Sequence, residues 1–216
     1  MLVARLNDGD LYTFDPGASY AANYLGDGGG PGATDIAGVM FDPTDDTLIW
    51  SSAANDGMRR WRIGTGTLGI PAFGSPTYSI QSGPDGRAVG VTSRGNERLV
   101  VVWDLATGMR RYAAGIDTLT TQTNGAGNGN FTETIIGNRA TLSTIRDVCM
   151  DLDGRIYAAC SASAAFGIRT ITADWTTVAT IATSGSTATG SRSHIGVSPD
   201  GSKVVYSAGG QVVKIT

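Results

Sequence analysis

One phrase recurs along this chain. At residue 42 it reads VMFDPTDDTLIWSSAANDGMRRWRIGT, and it returns as IQSGPDGRAVGVTS, VCMDLDGRIYAACS and IGVSPDGSKVVYSAG. Each copy has an apolar run, a turn built on an acidic residue (Asp42, Asp85, Asp153, Asp200) and a second run rich in β-branched and aromatic residues. In such turns glycine supplies positive φ, and aspartate hydrogen-bonds its own backbone. A second turn leads to a third run, in GMRRWRIGTG, RLVVVWDLATG, FGIRTITADW and QVVKIT, and a fourth follows in MRRYAAG and TTVATIA. Runs of this composition bounded by Gly, Asp and Ser are strands, and no long window sustains a helical period of 3.6. One sheet of this kind cannot bury its apolar face alone, so neighbouring copies have to stack.

Two of the three intervals between the acidic turn residues match the ~40–50 residues of a four-stranded propeller blade. The third, Asp85 to Asp153, is longer because it holds the low-complexity insert GIDTLTTQTNGAGNGNFTETIIGN, within about residues 115–145. The motifs also carry resemblances. LVVVWDLATGM resembles the third strand and Trp-Asp ending of WD repeats, and VSPDGSKVVYSAGGQVVKI is similar to YVTN-type and TolB-like units. GDGGGPGATDIAGVMFDPTDDTLIWSSAANDGMRRWRI and TIRDVCMDLDGRIYAACSASAAFGIRTI are similar to NHL repeats. The chain departs from each pattern: it has no Gly-His dipeptide, and the NHL Tyr-Val-Ala-Asp phrase survives as IYAAC. The resemblance implies an all-β β-propeller and carries no particular activity. We expect a single domain over 1–216 with about five four-stranded blades: Met1–Gly30, Ile36–Thr77, Tyr78–Ala114, Arg146–Thr183 and Arg192–Thr216. Both terminal blades are incomplete in this reading. Either the termini pair to close the ring, or open edges recruit another chain.

Composition narrows the function classes. A net charge of -3 and a pI near 5.0 lack the basic footprint of a nucleic-acid binder. No stretch approaches the ~20 apolar residues of a membrane span, and the start MLVARLNDGD has no signal-like apolar run. The sequence therefore predicts a soluble chain without its own export signal, in the cytoplasm or a virion. Among its basic residues only Lys203 and Lys214 are lysines. Cys149 and Cys160 fall on adjacent predicted strands, where they could face one another; two buried free thiols are expected rather than a disulfide.

Candidate chemistry is sparse. His194 is the sole histidine, so any Ser-His-Asp system or zinc site must use it; a structural or incidental role is expected. DLDGR looks like the middle of a calcium loop but no glutamate follows it, so its aspartates are expected to cap a turn. GDGGGPG is followed by a strand and lacks the Lys-Ser/Thr of a P-loop. NFT at Asn130–Thr132 matches a glycosylation acceptor, expected by chance in a chain without export. Trp50, Tyr157 and Tyr206 take matching second-strand places, and Trp61 and Trp103 third-strand places, which points to packing between blades.

These observations predict no cofactor, no metal and no catalytic residues. They favour a non-enzymatic structural or protein-interaction propeller in a larger assembly, and the Arg-over-Lys bias with a Thr/Gly/Asn-rich insert extends that to a bacteriophage virion component (tail, fibre or decoration protein). The interaction surface is expected at Trp50, Trp175, Asn124, Asn128, Asn130 and Phe131, since long irregular loops tend to be binding elements. One alternative is a carbohydrate- or receptor-binding propeller stacking ligand on Trp50 and Trp175. Another is a propeller-type hydrolase or lactonase in which acidic residues and a divalent ion activate water.

Overall fold

A computed structural model of the chain describes residues 2–5, 10–15, 17, 21–27, 36–42, 47–52, 57–62, 66–68, 77–94, 97–107, 110–114, 135–136, 144–162, 165–175, 177–184, 194–208 and 211–215. The repeated runs all become strands, and no α-helix occurs among the described residues. The first sheet is β1 (Leu2–Arg5), β2 (Asp10–Asp15) and β3 (Ala21–Asp27); the second is β4 (Ile36–Asp42), β5 (Thr47–Ser52), β6 (Gly57–Arg62) and β7 (Gly66–Leu68). The third is β8 (Thr77–Ser82), β9 (Arg87–Arg94), β10 (Glu97–Asp104) and β11 (Arg110–Ala114). The fourth contains β12 (Ile135–Ile136), β13 (Thr144–Met150), β14 (Ile156–Ala162), β15 (Ala165–Ile171) and β16 (Thr177–Ser184). The fifth is β17 (Ile195–Val197), β18 (Val204–Ala208) and β19 (Gln211–Ile215). Each sheet is an antiparallel meander. The exception to chain order is β12, which lies at the edge beside β16, so part of the insert adds a strand to the fourth sheet.

The chain divides into two compact units, Met1–Thr77 and Tyr78–Thr216. In the first, Met40 and Ile49 sit opposite each other in the β4–β5 ladder and both are buried. In the second, the fourth sheet is packed on both faces. Val89, Val91, Val100 and Val102 of the third sheet meet Ile145, Val148, Met150, Ile156, Ala158, Cys160 and Ile171. On the opposite face Cys149, Tyr157, Ala159 and Ile168 meet Ile195, Val204 and Tyr206 of the fifth sheet. Side chains alternate along a strand, so β14 sends Ile156, Ala158 and Cys160 one way and Tyr157 and Ala159 the other. A strand buried on both faces reads as an unbroken apolar run, which is why IYAAC shows no alternation.

This geometry separates the two cysteines. Cys149 pairs across the ladder with Tyr157, whereas Cys160 pairs with Ile145, and the two thiols point into different cores. They do not face one another; both are free and buried. Burial, then the nearby carboxylates of Asp147 and Asp151, push the Cys149 thiol far up, so it stays protonated and unreactive.

The first hairpins of the third, fourth and fifth sheets close with the same bond: Gly83 N to Arg87 O (2.8 Å), Asp151 N to Arg155 O (3.0 Å) and Ser198 N to Lys203 O (2.9 Å). The last encloses one residue more. A one-residue shift moves every side chain to the other face. Tyr206 therefore does not match Tyr157, as the sequence alignment implied. Tyr157 pairs with Cys149, and the corresponding place opposite Gly196 holds Val205. The two tyrosines still share one core, because they lie on sheets that face each other.

Each of these turns has a glycine at positive φ: Gly86 at 67°, Gly154 at 85° and Gly201 at 70°. Their surroundings differ. A Cβ on Gly86 would meet nothing within 4 Å, whereas one on Gly201 would lie 2.6 Å from Asp151 Oδ2 and 2.8 Å from Tyr157 Oη. Gly86→Ala should then cost only the left-handed backbone penalty, about 1 kcal/mol, and Gly201→Ala about 2–3 kcal/mol because crowding is added. Urea denaturation of both variants measures the difference, and equal costs would contradict the packing described.

The last turn carries its own acid. Asp200 Oδ1 accepts from Ser198 Oγ (2.6 Å), Ser202 N (3.1 Å) and Ser202 Oγ (2.8 Å), and these donors hold its carboxyl down to about 2. A carboxyl depressed by folding stabilises the native state above its unfolded pKa, and that contribution disappears as pH falls through the folded value. An NMR titration should place the Asp200 midpoint near 2, and Ser198→Ala should move it up towards the ordinary carboxylate range.

Candidate functional site

The first strand of each packed sheet in the second unit is an edge strand: β8, β13 and β17 each have a ladder on one side only. An antiparallel edge leaves every second residue with both peptide groups pointing away from its partner strand. In β17 the N–H of Ser207 bonds to His194 O (2.9 Å). The next pair, Ile195–Tyr206, is therefore the non-bonded type, and the N–H and C=O of Ile195 point off the open edge.

Side chains from the neighbouring sheets meet them. Ile195 N donates to Asp147 Oδ2 at 3.0 Å, and Ile195 O accepts from Gln81 Nε2 at 3.1 Å. Val148, the equivalent residue in β13, donates its N–H to Asp147 Oδ1 at 2.9 Å. Ser79 Oγ donates to the same oxygen. His194 Nδ1 lies 3.5 Å from Oδ2; its side chain is 74% exposed against 5% for Asp147. Counted back from the bond that closes each hairpin, Ser79, Asp147 and His194 hold one and the same place in three successive edge strands. The repeat thus converges a serine, an aspartate and a histidine from three sheets.

Their order decides what they can do. Nucleophilic catalysis needs the histidine between serine and aspartate, so that imidazole takes the hydroxyl proton. Here the aspartate is central. Ser79 and His194 both address Asp147, and the hydroxyl proton points at a carboxylate whose oxygens are already engaged by backbone N–H groups. The arrangement is a brace across three sheets. Asp147→Ala would leave two buried N–H groups without acceptors, at about 1–3 kcal/mol each, so a loss of about 3 kcal/mol or more is expected in urea denaturation. His194→Ala, at an exposed position, should change stability by less than about 0.5 kcal/mol; a histidine variant as damaging as the aspartate one would refute the brace.

A second set of bonds joins the turns. Asp151 Oδ1 accepts from Asp153 N (3.1 Å) and Arg155 N (2.9 Å), as expected for an aspartate capping a turn, and Oδ2 accepts from Tyr157 Oη (3.1 Å). Burial above all pushes the Tyr157 phenol up, which keeps it a donor. Leu152 N bonds to Pro199 O (2.9 Å) in the turn of the next sheet. The Leu152 side chain is meanwhile 66% exposed, beside exposed Asp153, Pro199 and Asp200.

Of the residues marked by the sequence, Trp50 lies in β5 opposite Val39 and Arg59. Trp175 occupies the β15–β16 turn at φ 58°, with its N–H on Thr172 O (2.8 Å). Its ring is half-buried against the core shared by the third and fourth sheets, and its indole nitrogen is buried. Asn124, Asn128, Asn130 and Phe131 lie outside the described residues. His194, for which a structural or incidental role is expected from the sequence, stands at the exposed end of the brace. Asp147 escaped the sequence reading; its signal was a lone acid inside the apolar strand TIRDVCM.

No protein-family model matches the sequence, and no curated protein matches it either. In three dimensions the chain is similar to β-propellers. It superposes on a chain of a nidogen/laminin complex with a TM-score of 0.67 at 15% identity, over 99% of this chain and 72% of that one. Against the β-propeller domain of Cps50 (Swd1) from Myceliophteria thermophila the TM-score is 0.57 at 10% identity, over 95% of this chain and 58% of that one. Against the calcium-binding protein regucalcin from Agrobacterium tumefaciens it is 0.54 at 14% identity, over 84% and 53%. The chain therefore spans little more than half the length of the last two. The fold is an all-β β-propeller built of repeated blades.

Proposed function

We propose that this chain is a non-enzymatic propeller module that binds protein partners within a larger assembly, and that the assembly is a bacteriophage virion. The observation that carries the first part is the order Ser79–Asp147–His194. The place where three blades converge is spent on structure, with its carboxylate engaged by backbone and hydroxyl donors. The turn-to-turn bond from Leu152 N to Pro199 O fixes the turn that presents the exposed Leu152 side chain. Pre-organised surfaces of this kind lose little entropy on binding. Proteins of similar fold include one from a nidogen/laminin complex. Support for the virion is compositional: the preference for arginine over lysine and the Thr/Gly/Asn-rich insert. Within this reading Asn124, Asn128, Asn130 and Phe131 of the insert and, each in its own unit, Trp50 and Trp175 are the proposed partner contacts; a glycan or receptor would use the same residues.

Mass spectrometry of purified virions, with electron microscopy of the particles, is the test. The chain is expected as a stoichiometric particle component. Recovery solely as a free 22.3 kDa species would overturn the assembly reading.

One observation favours a second reading. Asp147 Oδ2 lies 3.5 Å from Nδ1 of His194 while most of the imidazole faces water, a disposition open to a carboxylate-oriented general base. A hydrolase or lactonase acting through water would use it. Turnover of ester or lactone substrates that His194→Gln abolishes would establish that chemistry, and equal rates in both proteins would dismiss it.

A further inference from the structure

We propose that Asp85–Gly86 is a site of spontaneous isoaspartate formation, a covalent rearrangement of the main chain that passes through a cyclic succinimide. The nitrogen of the residue after the aspartate attacks the aspartyl Cγ. A new N–Cγ bond closes the ring, and the carboxyl hydroxyl leaves as water with the proton of that nitrogen. Water then opens the ring at either carbonyl, which restores aspartate or leaves the main chain running through Cβ. No oxidant or reductant takes part. A following glycine favours the attack because no Cβ shields its nitrogen. Among the described residues that pair occurs at 85–86, 153–154 and 200–201, in the first turns of the third, fourth and fifth sheets.

The three turns are not alike. In the third sheet Asp85 and Gly86 both have positive φ, 56° and 67°, as a type I′ turn requires. Its closing bond runs from Arg87 N to Pro84 O (3.1 Å). Gly86 therefore sits inside the turn, and its N–H meets no acceptor among the described residues. In the other two turns the glycine comes last and its own N–H makes the closing bond, Gly154 N to Asp151 O (3.1 Å) and Gly201 N to Ser198 O (2.9 Å). Those nitrogens must give up a hydrogen bond before they can attack.

The carboxyls differ as well. Asp200 Oδ1 accepts from Ser198 Oγ, Ser202 N and Ser202 Oγ, which holds it as a carboxylate, a poor electrophile. The Asp85 side chain is 85% exposed, and its contact is Arg87 Nη2 to Oδ2 at 3.3 Å, a surface pair that is weak in water. Losing one hydrogen bond from a reacting group slows a reaction by about tenfold, so Asp85 reacts first. The added main-chain carbon lengthens the turn between β8 and β9, and β8 carries Ser79 and Gln81, the partners of Asp147 and Ile195.

Incubation of the folded chain at neutral pH in water enriched in the heavy oxygen isotope tests the proposal, since ring opening incorporates that oxygen. Tryptic digestion in ordinary water then separates the three sites into residues 63–87, 147–155 and 193–203, and fragmentation in a mass spectrometer locates both the label and the isoaspartyl linkage. Asp85 is expected to take up label at least ~10-fold faster than Asp153 or Asp200. In urea, where each site is only an Asp-Gly pair in an unfolded chain, the three rates should converge. Gly86→Ala puts a methyl group beside the attacking nitrogen, in space that the fold leaves open, and should remove most of the uptake at Asp85. Equal or faster labelling of Asp153 or Asp200 in the folded protein would overturn the proposal. So would no label at Asp85 under conditions where the unfolded chain reacts, or uptake unchanged by Gly86→Ala.

Discussion

The peptide groups that point off the open edge of a sheet must find acceptors and donors once water is excluded, and in the second unit Asp147 and Gln81 supply them to Ile195. A strand edge is normally a pairing template. Here the edge of β17 is closed by side chains: Asp147 takes the N–H of Ile195 and Gln81 gives to its C=O. The carboxylate suits the task because it only accepts, and the groups converging on it are donors. An asparagine would turn one oxygen into a donor facing another N–H. Apolar packing holds the sheets face to face without fixing them along the strands; the hydrogen bonds of one buried acid add that registration.

How far the sequence reveals this depends on which interaction is local. The hairpins were legible because Pro-Asp-Gly and Leu-Asp-Gly carry their own turn chemistry. β7 and β12 were not, since GTL and a pair of isoleucines in a low-complexity stretch have no period to detect. The extra residue in the Ser198–Lys203 turn is visible in the sequence, but its consequence is felt only in the pairing, where it exchanges the places of Val205 and Tyr206. The brace was harder still. Each member looks ordinary alone, and only the common register of three distant strands shows that Ser79, Asp147 and His194 meet.

Burial is spread unevenly along the repeat, and that spread has a physical origin. The third sheet contributes branched valines to its shared core, and Trp103, only 1% exposed, is seated where Gly90 leaves room: a Cβ on Gly90 would come within 2.7 Å of the indole and collide with the Ser79 carbonyl. The fourth sheet is apolar on both faces. The fifth keeps one apolar face and turns glycine, serine and a lysine outwards with its valines. Glycine and serine neither fill a core nor need one, so such a face tolerates water better than a sheet of isoleucines.

The same economy of roles bears on the choice between scaffold and catalyst. A catalytic carboxylate is useful when its acceptor capacity is aimed at a reacting group and the site can change its proton inventory during a cycle. Asp147 is bound to two backbone N–H groups, and neither can be withdrawn without unsatisfying a buried strand edge. Movement of the carboxylate towards a substrate would therefore loosen three sheets at once. His194 is the member least bound by that constraint, because its side chain is largely in water with Nδ1 3.5 Å from Asp147 Oδ2, while its backbone is tied through Ser207. Any chemistry at this site has to run through the imidazole while the aspartate stays in place, and without such chemistry the cluster remains the fastening of the fold.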